Sequence, residues 1–414
     1  MNEKLEEIEI LIQGKRYREA LAQLQSIEKE MVIIEEKAFY NNMMGTTYMM
    51  LCSCEAVKYF DNACRKYWIL NDQVGIQDSW LMIRWQQCLM DRAQLHYECG
   101  EFGTADELSD RVCIFIEGYR FDGIEEYDAL RLRLKGKILR MMIHDKKEEY
   151  GKAESYISEI RHIMGKLEEE GIKPSNDACM LEALVSIFGH YLSMSNWRAV
   201  WNMMSDLKKS AESLFKYSDY SEDSGRAFSL MSKAFMKDGN FNLAEDAAEN
   251  AVQMILCMID DSGVINEKSR PSLAEAYMLK GRAYMMRLKR RGIFRKSEAC
   301  IKKSVEIAKK LYDEHAERFM ELYAECSLYM ALLYYYGKAK DEPAHKAVRH
   351  IINAVNLYRK MYESRDRSAY WRTYMYALLV MSEIYEGINE NTVEWADKER
   401  NLLLERNIND IAVQ

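Results

Sequence analysis

The chain has 414 residues, only three prolines and a formal net charge of −8. That acidic balance argues against a general nucleic-acid binder, which presents a basic face, and no run approaches the ~18 apolar residues of a membrane span. Ten cysteines without framework spacing, and an acidic start Met1-Asn2-Glu3-Lys4-Leu5-Glu6-Glu7 unlike a secretory signal, lead us to expect reduced thiols in a cytoplasmic protein.

Along the chain an aromatic residue is followed, three positions later, by a small or aliphatic one. The first copy is Gly14-Lys15-Arg16-Tyr17-Arg18-Glu19-Ala20. It returns at Phe102/Ala105, Tyr150/Ala153, Trp197/Val200, Phe241/Ala244 and Phe294/Ser297. Each small residue opens an i, i+4, i+7 set: Ala20/Leu24/Ile27, Ala56/Phe60/Ala63, Ala105/Ser109/Val112, Ala153/Ile157/Ile160, Val200/Met204/Leu207, Ala244/Ala248/Ala251, Ser297/Ile301/Ser304 and Ala347/Ile351/Ala354. That spacing puts three side chains on one helical face. Small residues there let a second helix approach closely. An upstream helix carries a second seam, seen in Phe228/Ser232/Phe235 before Gly239 and in Tyr277/Gly281/Tyr284. Each unit is therefore expected to be a helix–turn–helix hairpin, with turns near Gly14, Gly100, Gly239 and Gly292 and the aromatic residue capping the junction with the preceding helix. Fixed-period self-similarity marks a repeat architecture.

These residues resemble the tetratricopeptide-repeat (TPR) superfamily, most closely over residues 225–258. The resemblance implies an all-α, right-handed superhelical solenoid of about nine hairpins, with a concave groove that binds peptides or protein segments. The leading small positions are 20, 56, 105, 153, 200, 244, 297 and 347, mostly farther apart than the ~34 residues of a standard TPR. Longer helices or turns are expected, as in the degenerate repeats of bacterial regulators, including Rap-like cytoplasmic receptors for signalling peptides. HEAT or armadillo repeats are the structural rival. Breaks fall at Gly171–Asp177, Ser218–Gly225 and Asp260–Gly263, none long or low in complexity. We therefore expect one continuous array over 1–414, closed by a polar capping hairpin at about 370–406.

Motifs for catalysis are absent. No Gly-rich phosphate loop, nucleophile elbow or HExxH occurs, so neither cofactor nor metal is expected, and the protein reads as non-enzymatic. His345 and His350 are five apart, poorly placed for one metal on a helix. Cys52 and Cys54 point to different faces.

The TPR resemblance implies that first-helix positions facing away from the partner line the groove. That assigns Arg133, Lys137 and Arg140 in the fourth unit, Arg226 and Lys233 in the sixth and Arg282 in the seventh. A basic strip can hold a carboxylate through charge-assisted hydrogen bonds; solvated or locally paired side chains are the plainer alternative. Arg287, Lys289, Arg290, Arg291, Arg295 and Lys296 form a second basic cluster at the turn of the seventh unit. Tyrosines crowd the last two units (Tyr334, Tyr335, Tyr336, Tyr358, Tyr362, Tyr370, Tyr374, Tyr376, with Trp371), to be read as a core at helical spacing or as a contact surface such as a homodimer seam.

The leading functional expectation is a protein- or peptide-binding scaffold or sensor that captures an acidic or carboxylate-bearing segment, with no direct nucleic-acid or membrane partner. A Rap-like signalling-peptide receptor controlling a partner regulator is the alternative. Because the repeat begins by Tyr17, no room is expected for an N-terminal effector module, which weighs against that alternative. A helical-scaffold phosphatase is the remaining enzyme alternative.

Overall fold

The computed structural model describes residues 3–53, 55–72, 78–121, 124–216, 221–257, 267–288, 292–337, 345–386 and 398–401. Among them every regular element is helical. Helices follow as hairpins: α1 (Glu3–Gln13) with α2 (Tyr17–Ile27), α3 (Ile34–Met50) with α4 (Ala56–Asp72), and α5 (Ser79–Glu98) with α6 (Phe102–Gly118). Next come α7 (Ile124–Lys146) with α8 (Tyr150–Glu169), α9 (Ala178–Ser193) with α10 (Trp197–Phe215), and α11 (Ser221–Lys237) with α12 (Phe241–Leu256). The last are α13 (Arg270–Met285) with α14 (Ile293–Glu314), α15 (Ala316–Gly337) with α16 (His345–Ser364), and α17 (Arg367–Glu386). The capping helix expected after α17 lies largely outside the described residues, as does the Asp260–Gly263 break. The long period comes from long helices: α7 has 23 residues and α14 and α15 have 22 each.

Contacts group the chain into two compact units. The first comprises residues 1–223 and 258–269, the second residues 224–257 and 270–414. No shift in composition marks the division.

The turn chemistry repeats. Lys15, Cys52, Gly100, Glu148, Ser195 and Gly239 all adopt left-handed φ values between 54° and 80°. In each turn the following amide reaches back to a carbonyl five residues earlier, as in Glu101 N to His96 O at 2.8 Å and Asn240 N to Phe235 O at 2.9 Å. This Schellman closure satisfies the last carbonyls of the odd-numbered helix. In five of these turns an aromatic residue stands two positions on. The first left-handed residue is Lys15 rather than the glycine expected there. The aromatic residue also packs forward: Tyr150 meets His190 edge-on at 6.5 Å, and Phe294 meets Tyr334 at 6.4 Å.

The small-residue seams are buried as the spacing predicts. Ala244, Ala248 and Ala251 are fully buried, and of the eight sets only Met204 is half-open. Opposite them sit the small residues of the odd helices. A Cβ on Gly45 would lie 2.6 Å from the Phe60 ring, and one on Gly281 would strike Ile301. Where serine takes a seam position it donates to the facing backbone: Ser297 Oγ to Gly281 O and Ser304 Oγ to Ala274 O, both 2.7 Å. The hydroxyls are thus buried without loss.

One polar contact joins three helices of the first unit. His190 on α9 is fully buried between Asp145 of α7, 2.6 Å from Nδ1, and Glu154 of α8, 2.8 Å from Nε2. Burial would lower its pKa, but the hydrogen bonds and charges of Asp145 and then Glu154 prevail, and the value rises above the ordinary 6.5. With both ring nitrogens facing carboxylates, the imidazolium is the form that fits.

Two predictions follow from these contacts. A Cβ on Gly239 would meet no atom within 4 Å, so Gly239→Ala tests the backbone alone. Left-handed φ should cost it about 1–2 kcal/mol in urea unfolding, whereas Ser195→Gly should not destabilise. For His190, a raised folded pKa means its stabilisation is complete below about pH 6.5 and is lost as pH rises through the folded value. The melting temperature of the wild type should therefore fall more steeply above pH 6.5 than that of His190→Gln, with Asp145 and Glu154 unchanged in both.

Candidate functional site

Within each unit successive odd-numbered helices touch one another: α5 with α7 and α7 with α9 in the first, α13 with α15 and α15 with α17 in the second. The even helices chiefly contact their odd neighbours. The odd helices therefore form the row in which successive hairpins meet, and a ligand-binding residue is sought on an odd helix, pointing away from the even ones.

That criterion separates the six groove candidates. Arg133, Lys137 and Arg140 do sit on α7, but every partner they have lies on α6 or α8. Arg133 pairs with Glu117 at 2.8 Å, and Lys137 with Glu159 at 2.8 Å and Glu117 at 3.6 Å. Arg140 pairs with Asp106 at 2.8 Å and with Asp110. Lys137 is only 7 % exposed. Burial opposes its charge, yet the hydrogen bond it donates to Glu159 and the nearby Cys113, Glu159 and Glu117 raise its pKa. These three side chains therefore tie α7 to its even neighbours. The α7 face turned to the odd row carries Arg131, bonded at 2.9 Å to Asp177, which caps α9, and Lys135, whose charge is favoured, against burial, by Cys179 of α9, Asp91 of α5 and Glu182 of α9. Both faces of α7 carry cations at helical spacing, so spacing alone could not choose between them.

In the second unit the candidates do reach the odd row. Lys233 on α11 pairs with Glu275 on α13 at 2.5 Å. Burial weighs against its charge, but Glu275 and Glu325 hold its pKa above the ordinary value. Attraction to Lys233 comes first in holding the Glu275 carboxyl below the carboxylate range, with Arg226 and Arg282 adding to it. The Arg282 guanidinium lies over the Tyr329 ring, 4.0 Å from its centroid. Lys237 and Glu325 complete the cluster and were missed at the sequence level. Lys237 continues the α11 face four residues beyond Lys233, a spacing that could have found it. Burial first, then the charges of Lys233 and Arg282, press its pKa below 10.5.

The remaining candidates are dispersed. Arg287 pairs with Glu245 of α12, Lys296 stands 5.8 Å from the Tyr284 ring, and Arg295 is exposed. Lys289, Arg290 and Arg291 lie outside the described residues. Of the C-terminal aromatics, Tyr358, Tyr362, Tyr370 and Tyr374 are core, while Tyr336 and Tyr376 are open. Because Arg140 ties two helices, Arg140→Ala should lower stability by about 1.5–3 kcal/mol through lost charged hydrogen bonds, read by thermal melting against Arg295→Ala, which should leave it unchanged.

No family model matches the chain, and a search of curated proteins finds no match. Solved structures do match. A Rap protein complexed with competence and sporulation factor superposes with a TM-score of 0.55 at 13 % identity, covering 97 % of each chain. BtubC from P. vanneervenii gives 0.44 at 13 % identity over 63 % of this chain and 92 % of its own. A signal-transduction ATPase with a tetratricopeptide-repeat sensor, from Pyrococcus horikoshii, gives 0.42 at 11 % identity over 95 % and 54 %. Among the described residues no helix is long and apolar enough to cross a membrane. The hairpin seams, the repeated turns and the superposition on the Rap structure agree: the chain has the fold of the TPR-like helical-repeat proteins.

Proposed function

We propose that the protein is a non-enzymatic binding scaffold, and that the odd-helix face of its second unit captures a peptide or protein segment through a carboxylate. The observation that carries this reading is Arg282. Its guanidinium is stacked on Tyr329 and, among the described residues, pairs with no carboxylate. A planar guanidinium fixed by an aromatic ring presents its donors as a fork that matches a carboxylate. Arg226, Lys233 and Lys237 add positive charge on the same side. The cation pairs of the first unit do not support capture there, because α6 and α8 already supply their anions.

A second reading has one observation in its favour. The Rap protein sharing this fold was solved in complex with competence and sporulation factor, which keeps a signalling-peptide receptor in view as the specific form of the scaffold. Homodimerisation through the aromatic C-terminal hairpins would draw first on Tyr336 and Tyr376, the most exposed of these aromatics.

The test uses pools of random hexapeptides, one with free C termini and one amidated, passed over the immobilised full chain. The free-carboxylate pool should be retained about tenfold better. Arg282→Gln should remove the difference, and raised salt should weaken it. Equal retention of the two pools, or a preference indifferent to Arg282→Gln, would overturn the reading.

A further inference from the structure

Two carboxylates face the cations of the second unit, and they are in opposite situations. Glu275 is closed by Lys233 at 2.5 Å, and its carboxyl is held low. Glu325 is one helix further on, on α15, four residues before Tyr329. Among the described residues it has neither a hydrogen bond nor an ion pair, and it is half-buried. Arg282, on the adjacent α13, likewise has no carboxylate partner. A carboxylate and a guanidinium thus share one enclosed face without being spent on each other. Each retains hydrogen-bonding capacity directed at whatever enters.

We infer that Glu325 and Arg282 form one subsite for an amphoteric segment, in which the ligand's terminal carboxylate meets Arg282 while a lysine or arginine side chain of the same ligand meets Glu325. This deepens the function proposed above and rests on it. A ligand bearing only negative charge would gain Arg282 but would sit against an unrelieved Glu325. A cation brought by the ligand removes that repulsion and supplies the donor that Glu325 lacks. Glu325 therefore selects among carboxylate-bearing segments, a task that Arg282 alone cannot perform.

The electrostatic setting agrees. Burial raises the Glu325 pKa, and Lys233 and Arg282 only partly offset it. The charged and titratable groups around it are Lys233 on α11, Glu275 and Arg282 on α13, Glu321, Cys326 and Tyr329 on its own helix, and Tyr358 on α16. None of the other groups brings a further cation to it. A lysine arriving from a ligand would lower the Glu325 pKa and expel any proton the carboxyl held.

The retained hexapeptides from the free-carboxylate pool are sequenced for wild type and Glu325→Gln. In the wild type, peptides with lysine or arginine near the C terminus should be enriched about tenfold over the input. In Glu325→Gln the enrichment should vanish while the preference for a free carboxylate stays. Absence of basic enrichment in the wild type, with carboxylate preference intact, would overturn this inference alone. Loss of carboxylate preference in the wild type would overturn the underlying reading and this one with it. A second measurement needs no variant. Titration calorimetry should give one enriched lysine peptide a Kd about tenfold below that of its norleucine analogue. Equal affinity for the two would also overturn the assignment.

Discussion

Everything in this molecule depends on how closely two helices can approach within a hairpin. At Gly45 against Phe60, and at Gly281 against Ile301, there is no room for even one added carbon. Such contacts are made by packing, and the seams of alanine, serine and glycine provide them. They bring each odd helix onto its even partner at a fixed register. The Schellman turn then fixes where the even helix begins. Once register and turn are set, the odd helices can stack on one another. Within each unit, the side chains they turn away from the even helices then share one face.

The same geometry divides the charged residues into two kinds. Side chains that point between an odd helix and its even neighbours find partners there, as Arg140 does with Asp106 and Asp110 and as Lys137 does with Glu117 and Glu159. They are structural, and the His190 triad with Asp145 and Glu154 is the extreme case. Side chains that point away meet only the next odd helix, or solvent. In the second unit that arrangement leaves Arg282 on an aromatic ring and Glu325 without a partner. A face with hydrogen-bonding capacity left over suits a ligand better than a face already neutralised. Acidity of the whole chain is no obstacle, because potential on an enclosed face is set by its own few residues.

Much of the fold was legible in the sequence, because its determinants are local. The i, i+4, i+7 seams, the aromatic residue after each turn and the scarcity of proline all act within one hairpin. Turn positions were legible only where glycine marks them. At Lys15, Glu148 and Ser195 the same left-handed conformation is held by the surrounding hydrogen bonds instead, and no residue type announces it. The site was legible in part. Lys233 meets Glu275 of α13 and Arg282 lies over Tyr329 of α15, but α7 carries cations on two faces, and the choice between Arg131/Lys135 and Arg133/Lys137/Arg140 depends on which acids α6, α8 and α9 present. Those acids lie up to 47 residues away along the chain, between Glu182 and Lys135. Glu325 was illegible for a different reason: a lone glutamate on a helix looks solvated until its neighbours are seen to leave it enclosed.

The central claim is that a ligand lies along the odd-helix face of the second unit. Photo-crosslinking tests it most directly. Tyr376, open on α17 beside the Tyr329 and Tyr336 rings, tolerates an aromatic benzophenone replacement, and Lys302, exposed on α14, provides the control. The account predicts that free-carboxylate hexapeptides crosslink to the chain from position 376 and not from position 302. Crosslinking from 302 alone, or equally from both, would contradict it.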